Sequence, residues 1–178
     1  MKVTNVHQRL LPVPPERAGA LIDTLASAHD RLWPRMHWPR MALDGPLAVG
    51  AAGGHGPIRY VVISYEPGQC VRFRFTAPRG LDGWHALEVL DATGVHCVLE
   101  HRIEMRVRGL ALLYWPLLLA PLHDALVEDA LANGQRALGL APHAPPWPRR
   151  VRILRWLLQR LGAHRHPSTS HPRTHHAP

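Results

Sequence analysis

Residues 109–138 read GLALLYWPLLLAPLHDALVEDALANGQRAL, and no other stretch constrains the fold as strongly. Its first half carries no charge on any side, and its second half returns to amphipathic helical spacing. A helix that is apolar all round is expected to be buried all round. This one follows directly on a series of alternating strands, residues 58–108. A long apolar helix after an antiparallel sheet is best accommodated by a sheet that curves around it. The expected fold class is therefore α+β: a curved antiparallel sheet wrapped around a long C-terminal helix, with an internal apolar cavity of the kind that takes a small ligand. The apolar run 110–122 is shorter than the roughly 20 residues a spanning helix needs. Pro116 and Pro121 also interrupt it, so it reads as buried helix.

Period-two alternation marks the strands. Residues 3–13 form the first, with Val3, Asn5, His7, Arg9 and Leu11 on one face. A helix over 15–28 follows, entered through Pro14-Pro15-Glu16. Residues 30–46 read as a short helix or irregular segment, and the glycine-rich stretch 47–56 as a weak strand at best. Residues 58–65, 69–76, 84–90 and 95–107 are strands. On the last, Val95, Cys97, Leu99, His101, Ile103, Met105 and Val107 share the apolar inner face, which leaves His101 as its one strongly polar member. A three-residue turn, Ala92-Thr93-Gly94, would pair Val89 with Cys97, Leu87 with Leu99 and His85 with His101. Two histidines would then face the interior side by side. Trp84 falls on the opposite face from His85, and of Tyr60 and Tyr65 at most one points inward.

Charge is unevenly spread. The formal net charge is +8, but seven of the 21 basic residues lie in 142–178, which hold no acid, so the 13 acids elsewhere nearly balance the bases. A body this neutral is not expected to bind specific nucleic acid. Cys70 and Cys97 form neither a CxxC pair nor a metal spacing, which suits a reducing compartment. The first 15 residues show no apolar leader, and a cytoplasmic location is expected. The domain reading is a globular body over 1–141, a proline-rich linker over 142–148, a basic amphipathic helix over 149–162 and a disordered His/Pro-rich tail over 163–178.

Several phrases carry a resemblance: GGHGPIRYVVISYEPGQCVRFRF at 53–75, GLDGWHALEVL at 80–90 and WPLLLAPLHDALVEDAL at 115–131. With the element order, they resemble the small bacterial, polyketide cyclase/dehydrase-like branch of the START-like helix-grip superfamily (SRPBCC) over about residues 3–138. The resemblance implies the helix-grip fold. It does not imply an activity, since that superfamily includes lipid carriers, hormone receptors and cyclases.

The first function expected is binding of a small hydrophobic molecule, lipid- or polyketide-like, lined by Phe73, Phe75, Leu87, Val89, Leu99, Ile103, Met105 and Trp115. The same residues also serve as ordinary core. A second reading is a cyclase or dehydratase in which His85 and His101 exchange protons with a bound carbonyl compound. A third places the protein on an anionic membrane surface, the inner face of the membrane, through Arg149, Arg152, Arg155 and Trp156 of the basic helix. No cofactor is expected. Gly53-Gly54-His55-Gly56 lacks the lysine and the strand–helix context of a phosphate loop and reads as a flexible edge near the cavity mouth. His123, Asp124, Glu128 and Asp129 read as surface charges, since His123 and Glu128 do not share a helical face and no second histidine lies in range. No metal is therefore expected.

Overall fold

The computed structural model describes residues 1–90 and 94–163, with side chains to residue 160. They divide into two compact units, one spanning Met1–Pro146 and a second that begins at Trp147. In the first unit seven strands form one curved antiparallel sheet in the order β1-β7-β6-β5-β4-β3-β2. They are β1 Lys2–Leu11, β2 Ala42–Leu43, β3 Ala52–His55, β4 Ile58–Glu66, β5 Cys70–Ala77, β6 Leu81–Leu90 and β7 Cys97–Val107. The helices are α1 Pro15–Ile22, α2 Ala111–Tyr114 and α3 Ala120–Ala137, with a π-helical turn, Trp115–Leu119, between the last two. The second unit holds α4, Arg149–Ala163. The tail beyond 163 lies outside the described residues.

Sheet and helix follow the expected plan, with three corrections. The glycine-rich stretch does form a strand, β3, which pairs with the two-residue β2. Helix α1 stops at Ile22 rather than near 28. Beyond it the backbone turns through Ala26 in the left-handed region, φ 61°. Third, the β6–β7 register differs by two residues from the one a tight turn would impose. His85 lies opposite Ile103, and Leu87 opposite His101. The last pair is Leu90 with Val98, and Val95 is exposed. Residues 92 and 93 of the expected turn lie outside the described residues. A two-residue slip preserves the period of the pleat, so every side chain keeps its face.

The apolar run departs from its expected burial. Leu110 and Leu117 are 79% and 71% exposed, and Leu112 and Leu113 are exposed as well. The prolines explain this. Pro116 has no N–H for the helical ladder, and the chain answers with a π-type bond from Ala120 N–H to the Trp115 carbonyl. A four-residue helix followed by a wide turn presents only Ala111 and Trp115 fully to the interior.

Two apolar clusters pack between sheet and helix. At the entry of the helical stretch, Leu81, Ile103, Met105 and Val107 meet Ala111 and Trp115. Toward the other end, Gly134 of α3 sits beside the side chains of Leu21, Leu32 and Leu99. Helix α1 reaches the β4–β5 turn closely enough that a Cβ on Gly19 would collide with the Gly68 carbonyl. His101 lies between Leu99 and Ile103 on β7, and so between the two clusters.

Candidate functional site: a histidine belt across the inner face

Strand pairing builds a row of rings between the two clusters. β1 pairs with β7 so that His7 is opposite His101. Phe73 of β5 is opposite His85 of β6, and Tyr60 of β4 is opposite Phe75. His55 ends β3, and α3 lowers His123 onto the row. Successive ring centroids are 6.0 Å apart for His55–Tyr60, 5.0 Å for Tyr60–His85, 5.6 Å for His85–His101, 4.9 Å for His101–His123 and 6.1 Å for His123–His7. The His85 ring stacks on Phe73 and Phe75 at 4.9 and 5.0 Å. Trp33 closes on His55 at 4.7 Å.

Burial keeps most of these imidazoles neutral. It pushes His55 down to about 3 and holds His85, His101 and His123 below the ordinary histidine range, with mutual repulsion adding to the effect. Burial likewise raises the Tyr60 phenol. Several of their polar atoms are buried with no hydrogen-bond partner: Tyr60 Oη, His85 Nε2, His101 Nδ1 and both ring nitrogens of His123. Unsatisfied buried polar atoms are few in folded proteins, and a run of them along one band is unusual.

At the β1 edge the belt turns charged. Asn5, His7 and Arg9 face inward and meet Asp124 and Glu128 of α3. His7 Nδ1 lies 2.8 Å from Glu128 Oε1, and His7 Nε2 lies 3.4 Å from Asp124 Oδ1. Asn5 Nδ2 donates to Asp124 Oδ1 at 2.9 Å, and Arg9 donates to Glu128 Oε2 at 2.6 Å. The hydrogen bond to Asp124 is the main cause that raises the His7 imidazole, outweighing burial. Burial alone would raise the Asp124 carboxyl, but the nearby His123 imidazole and its bonds from His7 and Asn5 hold it well below the usual carboxylate range.

These observations correct the reading of residues 123–129 as surface charges. Asp124 and Glu128 tie α3 to β1, Asp129 accepts from Trp38 Nε1 at 2.7 Å, and His123 is part of the belt. They also qualify the expected apolar interior, because the inner face carries histidines besides His101, together with Asn5, Arg9 and Tyr60. Three groups, His7, His123 and Asp124, offer donor atoms within 4.8 Å of one another, a set that can hold a metal ion. The missed signal was on β1. Three polar residues at positions 5, 7 and 9 share the face that ends in Leu11, and inward polar side chains require partners.

No protein-family model matches the sequence, and no curated protein matches it. Solved structures do. A protein from Thermobifida fusca, solved by NMR, aligns with TM-score 0.59 and 14% identity over 80% of this chain and 99% of that one. CalU16 from Micromonospora echinospora aligns with TM-score 0.54 and 12% identity over 90% and 86%. Norcoclaurine synthase from Thalictrum flavum, in complex with dopamine and hydroxybenzaldehyde, aligns with TM-score 0.53 and 12% identity over 78% and 88%. The chain has the START-like helix-grip fold. At these identities the likeness extends to the helix-grip architecture and no further.

Within the helix-grip body the expected lining residues fall into separate groups. Phe73, Phe75 and Leu87 border the belt. Ile103, Met105 and Trp115 belong to the apolar cluster at the helix entry, and Leu99 to the opposite one. Phe75, Leu87 and Val89 face inward yet are only half-buried; the His85 side chain is also partly exposed, but its Nε2 atom is enclosed. In the second unit Arg149 and Arg152 are exposed and Trp156 is 49% exposed. The Arg160 and Arg155 guanidinium groups lie 4.1 Å over the Trp156 and Trp147 rings. Among the described residues no helix is long and apolar enough to cross a membrane.

Proposed function

We propose that the inner face binds a small aromatic or other largely apolar molecule that carries a hydroxyl or carbonyl group. The observation that supports this most is the run of buried polar atoms without protein partners, Tyr60 Oη, His85 Nε2 and His101 Nδ1, flanked by Phe73 and Phe75. An unmet buried donor or acceptor costs about 1–3 kcal/mol. A guest with one or two oxygens would recover part of that and bury its apolar body against the phenylalanines. A helix-grip relative in structure holds dopamine and hydroxybenzaldehyde, both of which match this description. Titration with 4-hydroxybenzaldehyde should quench tryptophan fluorescence saturably, and native mass spectrometry of the freshly purified chain should show a copurified small molecule. Leu87→Trp, which fills the half-buried inner position, should weaken the quench at least tenfold while circular dichroism stays unchanged. Equal binding by that variant would reject the site.

An acid–base reading rests on the same atoms. The ring centroids of His85 and His101 are 5.6 Å apart, and each ring keeps a nitrogen without a protein partner that a substrate oxygen would meet; proton exchange would require the bound substrate to bring their depressed values back toward neutrality. Under cyclase or dehydratase chemistry, His101→Gln would leave binding nearly intact and abolish turnover of a bound carbonyl substrate.

Helix α4 supports a further role at an anionic membrane surface. Ile153, Trp156, Leu157 and Leu158 are exposed beside its arginines, the composition of an interfacial helix. Vesicles containing phosphatidylserine should cosediment with the full chain and not with one truncated after residue 141. Retained cosedimentation would refute an anchor in the C-terminal segment.

A further inference from the structure

We infer that His7, His123 and Asp124 form a binding site for a divalent transition-metal ion of the zinc type, at the junction of β1 and α3. This stands independently of the ligand proposed for the belt. The donor geometry is the first support. Four-coordinate zinc with bonds near 2.0–2.1 Å keeps neighbouring donor atoms about 3.3 Å apart. Asp124 Oδ1 lies 3.4 Å from His7 Nε2 and 3.6 Å from His123 Nδ1. The three donor atoms all fall within 4.8 Å of one another, so closing the set asks for ring rotation rather than backbone movement.

The surrounding shell is the second support. Metal-ligating histidines usually give their other ring N–H to a carboxylate, which fixes the tautomer. His7 does this: with Nδ1–H directed at Glu128 Oε1, 2.8 Å away, its Nε2 faces Asp124, and a metal ion bound there would take the place of the Nε2 proton. Glu128 is held in turn by Arg9, and Asp124 by Asn5.

His123 supplies the third and most specific observation. Both of its ring nitrogens are buried without a hydrogen-bond partner, and the 3.6 Å approach to Asp124 is too long to count as one. If the cluster were only an ion pair of His7 with two acids, it would be complete without His123, and a leucine at 123 would pack better. A metal ion gives the buried imidazole a bond. Two histidines and one carboxylate, with a fourth position open, suit zinc or cobalt better than calcium or magnesium, which prefer all-oxygen shells. Entry is open, because the Asp124 side chain is 41% exposed.

The test uses the full chain and Co²⁺ as the probe. The C-terminal histidines, His164, His166, His171, His175 and His176, can also take metal, so the comparison includes a full-length variant with all five replaced by glutamine. The expected result is one saturable site whose visible d–d bands have low-coordinate intensity and are displaced by Zn²⁺. The bands should survive in the tail variant. His123→Gln removes no hydrogen bond and should fold normally, yet weaken Co²⁺ binding at least tenfold. Asp124→Asn should do the same. Bands that vanish with the tail histidines, an affinity unchanged by His123→Gln, or no saturable site at all would each overturn the assignment.

Discussion

Urea denaturation between pH 7 and pH 5 is expected to show stability falling steeply as the solution is acidified, well before carboxylates titrate. His55 and His85 contribute to this, and His101, likewise depressed by burial, adds to it. Burial depresses the first two below the ordinary histidine value of about 6.5, His55 to about 3 and His85 far below its usual range. Below pH 6.5 the unfolded chain takes up these protons and the folded chain does not. Stability then drops by about 1.4 kcal/mol per pH unit for each histidine, or about 2.7 for His55 and His85 alone. A domain with a total of 5–15 kcal/mol cannot sustain that slope for many pH units. His7 acts with the opposite sign. Its folded value is raised, so it contributes fully below 6.5 and loses that contribution as pH rises through the folded value. Maximal stability is therefore expected close to neutrality. Asp124, whose carboxyl is held low, begins to matter only under more acid conditions. His85→Phe should pack between Phe73 and Phe75 and flatten the acid limb by about 1.4 kcal/mol per pH unit. A profile flat from pH 7 to pH 5, or one that His85→Phe leaves unchanged, would show that the belt is not closed to protons.

The belt shows what period-two patterning can and cannot deliver. That His85 and His101 share a face follows from parity alone, and parity survives the two-residue error in register. The register itself was not legible, because β7 is fixed as much by its pairing with β1 across ten residues as by the turn that precedes it. His123 was hidden for a different reason. Helical spacing around 122–131 places leucines inward, and nothing local says that the polar residues beside them face a polar strand. That information sits on β1, in His7, 117 positions before Asp124. The exposed leucines at 110–117 mark a third limit. Composition alone predicts burial, but it does not show that two prolines would split the run into a short helix and a wide turn that can turn only one side inward. What remained legible was the order and type of the main elements, because 51 residues of near-continuous alternation followed by a helix of this length leave few alternatives.

Replacing Asp30 by alanine is expected to cost about 3–5 kcal/mol, a loss large enough to threaten the fold. Asp30 is 9% exposed and belongs to the turn segment between α1 and β2. Its Oδ1 accepts from the backbone N–H groups of Leu32 and Trp33 at 2.9 and 2.8 Å, and its Oδ2 accepts from that of Ala26 at 2.9 Å. One carboxylate thus satisfies three main-chain donors, and the Leu32 side chain is almost fully buried. Alanine would leave those donors unmet, at about 1–3 kcal/mol for each one that water cannot reach. It would also release Ala26, whose left-handed backbone costs about 1–2 kcal/mol and is held by the bond to Oδ2. The consequence extends to the interior. The same segment carries Trp33 onto His55 and Trp38 onto Asp129, while the Asn133 amide reaches the Trp33 carbonyl. Loosening it uncovers one end of the belt, so the urea midpoint should fall and the amides of 26–38 should lose hydrogen-exchange protection together. Asp30→Asn keeps an oxygen for Leu32 and Trp33 but turns an NH₂ toward Ala26, and should fall between alanine and wild type. A loss under about 1 kcal/mol for Asp30→Ala, with exchange unchanged, would mean that packing of the leucines and tryptophans, rather than the carboxylate, holds this segment in place.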